Sequence, residues 1–233
     1  MGCVHASGSN ADRRDRHSGA NATSSTAKRE PSQLRLLKLN AASIDAQTTH
    51  DADAAIVADN VNALEGILDA YPALPYKQPW TSRQTNSASG SALHRACELS
   101  RSALLQRLLV RGGADAAALV DEDEQTPLHV AVAHGAIECV LSLTSIEGAS
   151  YCPELTASDR YQMTPLHLAC EAGDTRMVEL LLYCLTRRTR MSESALNKLR
   201  RGSASFVAKR HGHARVVQLL EKGAPGQGSR KLA

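Results

Sequence analysis

The chain of 233 residues is long enough for one ordinary domain with tails, and its 3% aromatic content, with one Trp and one Phe, argues against a sandwich or barrel. Its net charge of +3 conceals +4 over residues 1–40, −11 over 41–184 and +10 over 185–233, so its basic end could meet an anionic surface. No apolar run approaches the roughly 18 to 20 residues that span a bilayer, and the first residues lack the apolar core of a secretory signal, which together predict a cytosolic chain.

The chain opens MGCVHASGSN. With Met1 removed, Gly2 is available for myristate, although Ala6 stands where the acylation pattern wants a hydroxyl and Ser7 comes one place later. One myristoyl chain anchors only marginally, and a palmitoyl group on Cys3 would supply the second signal that a stable anchor needs. Residues 1–50 are rich in Ser, Ala, Asn, Thr and charge, a composition that predicts a disordered leash. Its reach is on the order of 35 to 40 Å for about 40 residues. Within it, Ser32 to Ile44 could form a short basic amphipathic helix, with Leu34, Leu37 and Ile44 among its apolar residues. Gln78 to Gly90 reads as an exposed connection.

Between these segments and the C-terminus lies an internal repeat. Gln125 to Leu143 reads QTPLHVAVAHGAIECVLSL, and Met163 to Leu182 reads MTPLHLACEAGDTRMVELLL. The same frame fits Ser91 to Leu109, with Ser100 in the Gly place, and Ser203 to Leu220, with Phe206 in the His place. The register positions His94, His129, His167 and Phe206 are spaced 35, 38 and 39 residues apart. A fifth, half-legible copy runs from Ala54 to Leu74, with Asp59 in the Gly place. Thr126 and Thr164 precede Pro127 and Pro165, which supplies a capping hydroxyl and Pro in the first helical turn. Leu166, Ala169 and Cys170 then recur at helical spacing, Gly173 ends that helix, and Met177, Val178, Leu180 and Leu181 mark the stripe of a second. Each helix pair is too small to bury its own stripe, so stacked neighbours must form the core.

This pattern resembles the ankyrin repeat family, from about Ala54 to Ala224. The resemblance implies an all-α solenoid of four to five stacked helix-turn-helix units with short hairpin-like loops, occupying residues 51–224, with residues 225–233 as a flexible basic tail. It implies a non-catalytic protein-binding adaptor with unidentified protein partners. By family geometry alone, Asp121, Glu122, Asp123, Asp159, Arg160 and Tyr161 are its candidate contacts. Glu124 and Gln162 stand where the family usually has Gly. The stretch LTRRTRMSESALNKLRRG is longer and more basic than the family norm, and is expected to project from one face. The M-G-C start resembles that of dually acylated signalling proteins, which implies lipidation at Gly2 and Cys3 and the cytosolic face of a membrane, the plasma membrane first.

His94, His129 and His167 could form a row of metal ligands, but repeats roughly 10 Å apart are too distant to share a metal, and a ladder of hydrogen bonds between repeats accounts for their recurrence. The acidic run from Asp121 to Glu124 lacks the spacing of a calcium loop. No phosphate loop, nucleophile elbow or dinucleotide fingerprint occurs, so no catalytic residue, cofactor or metal is assigned. The cysteines Cys97, Cys139, Cys152, Cys170 and Cys184 read as small hydrophobes. Arg187, Arg188, Arg190, Arg200 and Arg201 form a basic cluster that reads either as a solvated charged edge or as a face suited to an anionic surface; nucleic acid is the weaker reading, because Phe206 alone is near to stack on bases. The alternative to the tethered adaptor is a soluble ankyrin-repeat subunit of a larger complex.

Overall fold

The computed structural model describes residues 32–78, 80, 90–145, 153–188 and 192–222. Among them every regular element is helical: α1 (Ser32–Ala42), α2 (Ala46–Val57), α3 (Val61–Ala70), α4 (Ala92–Glu98), α5 (Ser102–Ala117), α6 (Pro127–Ala133), α7 (Ile137–Thr144), α8 (Pro165–Ala172), α9 (Thr175–Arg188), α10 (Glu193–Lys198), α11 (Ser205–Arg210) and α12 (Ala214–Lys222). Short 3₁₀ turns lie at Leu74–Tyr76 and Pro153–Thr156, and a π-helical stretch at Leu199–Ala204 joins α10 to α11.

Five helix pairs follow from local chemistry: α2/α3, α4/α5, α6/α7, α8/α9 and α11/α12. In each, the turn between the helices contains one residue at positive φ, and these are Asp59, Ser100, Gly135, Gly173 and Gly212. The repeat frame therefore holds even where its glycine is absent, since the turn dictates the conformation and the residue tolerates it. Side-chain caps start several helices. Asp45 accepts from the Thr48 N–H at 2.8 Å and Asn60 from the Ala63 N–H at 3.0 Å.

The pairs stack in two rows. The inner row runs α2, α4, α6, α8, α11, and in the outer row α3 packs on α5, α5 on α7, and α9 on α12. Ala92, Ala96, Ala131, Ala169 and Ala208 are completely buried on the inner row, where small side chains let helix backbones approach closely. Leu104, Leu105, Leu108, Val140, Met177, Val178 and Leu181 fill the layer between the rows. At the C-terminal end the register substitutes polar groups. Lys209 and Glu221 take the places of the buried Cys170 and Leu182, and they pair with each other at 3.6 Å. This is the polar outer face that an end repeat requires.

Three features differ from the sequence expectations. First, the compact unit begins at Ser32, well before residue 51, because Ala41 and Ile44 are buried and α1 packs against the 3₁₀ turn at Leu74–Tyr76. Second, the basic stretch after α9 does not project as a loop where it is described. It lengthens α9 to Arg188 and continues α11 upstream through the π-helical stretch to Glu193. Third, Trp80 is only 2% exposed and lies inside the connection read as exposed. Its indole N–H donates to Asp53 Oδ1 at 3.3 Å, and Asp53 also accepts from Arg95 Nε at 3.0 Å. The backbone N–H of Trp80 donates to Gly90 O at 3.1 Å, closing the base of the connection. Near it, Tyr76 donates to Gly112 O at 2.8 Å. A side chain at Gly112 would meet Pro75 Cβ at 2.9 Å and Ala116 Cβ at 2.5 Å.

Candidate functional site

The histidines form the scaffold beneath the surface. The Nδ1 atom of His94 accepts from the Ser91 N–H at 3.0 Å, that of His129 from Thr126 N–H at 3.2 Å, and that of His167 from Thr164 N–H at 3.0 Å. Each ring thus satisfies an orphan donor at the start of its own inner helix. With Nδ1 accepting, the proton sits on Nε2, which points to the next repeat. His94 Nε2 donates to Gln125 O at 3.0 Å and His129 Nε2 to Met163 O at 3.2 Å. Burial pushes all three imidazoles below their ordinary range, so they are neutral at physiological pH. These bonds tie the second helix pair to the third and the third to the fourth. Phe206 shares the register but is 68% exposed. It sits within a continuous helix, where no N-terminal donor awaits a ring.

Above the ladder, two hairpin tips stand side by side. Asp121 Oδ1 accepts from the N–H of Asp123 at 2.9 Å and of Gln125 at 2.8 Å. Asp159 Oδ1 repeats the arrangement with Tyr161 at 2.9 Å and Met163 at 2.8 Å. Each tip closes through a residue at positive φ, Glu124 in the first and Gln162 in the second. The tips are joined by the Arg160 N–H, which donates to Asp123 O at 3.0 Å, and by the Arg160 guanidinium, 3.2 Å from Asp123 Oδ1 and in contact with Glu122 O.

The six tip residues named from the sequence therefore separate into two groups. Glu122, Asp123, Arg160 and Tyr161 are exposed, Tyr161 by 68%. Asp159 is buried and Asp121 half-buried, and their carboxylates build the turns. Val130 and Leu168 lie half-buried on the inner helices beside the tips, with Ala133 and Ala172 exposed one turn on, an apolar strip that the sequence reading did not single out. The repeat frame alone could have marked Val130 and Leu168, which occupy one register position.

In the basic cluster, Arg187 is exposed on α9 and its guanidinium lies 5.6 Å from the Tyr183 ring. Arg201 is exposed and donates to Glu221 O at 3.4 Å. Arg200 is corrected: it is buried against the stack and donates to Asn197 Oδ1 at 2.7 Å, so it faces no external anion. The side chain of Arg188 and all of Arg190 lie outside the described residues, as do Gly2 and Cys3. Cys97, Cys139, Cys170 and Cys184 are buried thiols outside any disulfide, and burial pushes the Cys170 thiol up to about 12. Among the described residues no group of three or more His, Cys, Asp or Glu could hold a metal ion, and no helix is long and apolar enough to cross a membrane.

Stacked helix pairs, bonded from one repeat to the next and carrying adjoining tips, define a repeat solenoid, a scaffold that presents an extended surface for other proteins. The chain belongs to the ankyrin repeat family: residues 54–154 and 93–190 match the pattern of ankyrin repeats in three copies. It is similar to the human protein NF-kappa-B inhibitor alpha, 32% identical over 145 residues, spanning 61% of this chain and 44% of that one. It is also similar to the phosphate system positive regulatory protein PHO81 of Saccharomyces cerevisiae, 26% identical over 152 residues, spanning 55% of this chain and 13% of that one. The chain thus spans less than half the length of either relative.

Proposed function

We propose that this protein is a non-catalytic adaptor that binds a protein partner through its hairpin tips and inner helices while acyl groups on Gly2 and Cys3 hold it at the cytosolic face of a membrane, the plasma membrane first. The observation that carries the binding half is the joined pair of tips. Glu122, Asp123, Arg160 and Tyr161 are exposed on a frame that backbone and ladder bonds fix in advance, so little ordering entropy opposes association. Tyr161 is the natural anchor, a large rigid ring with a polar end beside charges of both signs. The acyl half is supported by the Met-Gly-Cys start and by the two-signal requirement of lipid anchors.

The binding half is tested by quantitative affinity capture with the full chain and with a Tyr161→Ala/Arg160→Glu variant. Loss of a defined set of partners, with unchanged helical circular dichroism, supports it. An unchanged set refutes it. A second reading, a soluble subunit of a larger complex, is favoured by the likeness to a protein named as an inhibitor of another factor. Equal soluble recovery of wild type and Gly2→Ala from lysed cells would favour that reading.

A further inference from the structure

The outer row differs at its two ends. Near the N-terminal end its arginines are paired across the stack: Arg107 meets Glu65 at 3.1 Å, and Arg111 bonds Asp69. On α9 and α12 the outer cations are not. Arg176, Tyr183 and Arg187 lie at helical spacing along the exposed stripe of α9. Aligning Gly173 with Gly212 puts Arg215 beside Arg176 and Lys222 beside Tyr183 on the packed helix α12. Arg201 reaches the same corner, donating to the Glu221 carbonyl at 3.4 Å.

Among the described residues, none of Arg176, Arg187, Arg215 and Lys222 is ion-paired. The exposed acids of these two helices are Glu179 and Glu221, and Glu221 is already engaged by Lys209 at 3.6 Å. The cations that hold the stack together are paired, and these are left over.

We infer that the outer face of α9 and α12 is an electrostatic docking surface for an anionic lipid bilayer. Charge complementarity gives the sign of the occupant. The form of the surface gives its class: two parallel helices offer a broad face, and Tyr183, 56% exposed among the cations, carries the apolar body and polar tip suited to headgroup depth. One aromatic ring is too few for the stacking platforms that hold single-stranded nucleic acid. The inference deepens the membrane half of the proposed function, and it orients the molecule. With the outer row on the bilayer, the inner row and its tips face the cytosol.

The test uses the full chain without acyl groups, in co-sedimentation with phosphatidylcholine vesicles made with and without phosphatidylserine. Binding is expected only with phosphatidylserine, and to weaken as salt rises. Each cation near the surface contributes about fivefold (~1 kcal/mol), so Arg187→Gln/Arg215→Gln should weaken binding by about 25-fold. Tyr183→Ala should weaken it further, and Arg107→Gln/Arg111→Gln, which alters paired arginines elsewhere on the row, should leave it unchanged. Equal binding to neutral vesicles, or equal losses from the two double variants, overturns the inference. So does tighter binding to DNA that the Arg187/Arg215 variant abolishes. Because acyl groups are absent from the assay, an unlabelled Gly2 would overturn the tether without touching this result, and failure here would leave the tether standing.

Discussion

Replacing His129 by Ala probes the joint between the third and fourth helix pairs. The ring is completely buried. Its Nδ1 accepts from Thr126 N–H at 3.2 Å, and its Nε2 donates to Met163 O at 3.2 Å. Truncation leaves the buried Thr126 N–H without its acceptor, at a cost of about 1–3 kcal/mol, removes one of the two bonds to Met163 O, which keeps the Asp159 N–H, and adds the loss of packing around a ring-sized hole. A net loss of about 3–4 kcal/mol is expected, a large fraction of the ~5–15 kcal/mol that holds a domain. Urea unfolding followed by circular dichroism measures it on the full chain. Phe206→Ala is the matched control, at the same register position but exposed, and should cost no more than about 0.5 kcal/mol. A loss below about 1 kcal/mol for His129→Ala, or comparable losses for the two variants, would refute the ladder as the link between repeats.

The ladder also predicts pH dependence. Burial depresses His94, His129 and His167 in the fold, while the unfolded chain takes up protons near pH 6.5. Below that pH the unfolded state binds more protons, so the stabilisation present above about 6.5 falls as pH drops towards the depressed values, by up to ~1.4 kcal/mol per unit per histidine. Urea midpoints between neutral and mildly acidic pH should show this decline, and His129→Ala should flatten it. At the turns, Ser100→Gly and Glu124→Gly relieve side chains held at φ of 56° and 60°, and each should gain about 0.5–1 kcal/mol in the same assay. In the buried network, Arg95→Ala removes the cation beside the Asp53 carboxylate, both side chains being 5% exposed, and should cost about 3–5 kcal/mol by thermal or chemical unfolding. By contrast, Arg160→Ala removes an exposed pair and should change stability by less than about 1 kcal/mol.

Much of the frame was legible because each repeat must solve the same local problem. Thr-Pro starts a helix, the His three places after the Thr serves its cap, and a turn at positive φ reverses the chain. Asp59 and Ser100 could be assigned to that turn by register alone, although neither is Gly. The tips were less legible. Asp121 and Asp159 look like surface acids in sequence, yet a carboxylate two residues before a tight turn finds the backbone N–H groups first. Trp80 was hidden because its partner Asp53 lies 27 residues away, and Asp53 in turn bonds Arg95 42 residues on, beyond any periodic signal. Arg200 was misjudged because composition counts charge without direction. The helical continuation from Glu193 turns that guanidinium inward and leaves Arg201 outside.

The tether at Gly2 is tested most directly by metabolic labelling with a clickable myristate in cells expressing the full chain. Label is expected on wild type, none on Gly2→Ala, and transfer of that variant from the membrane fraction to the soluble one. An unlabelled wild type, with Gly2→Ala distributed as before, would contradict it.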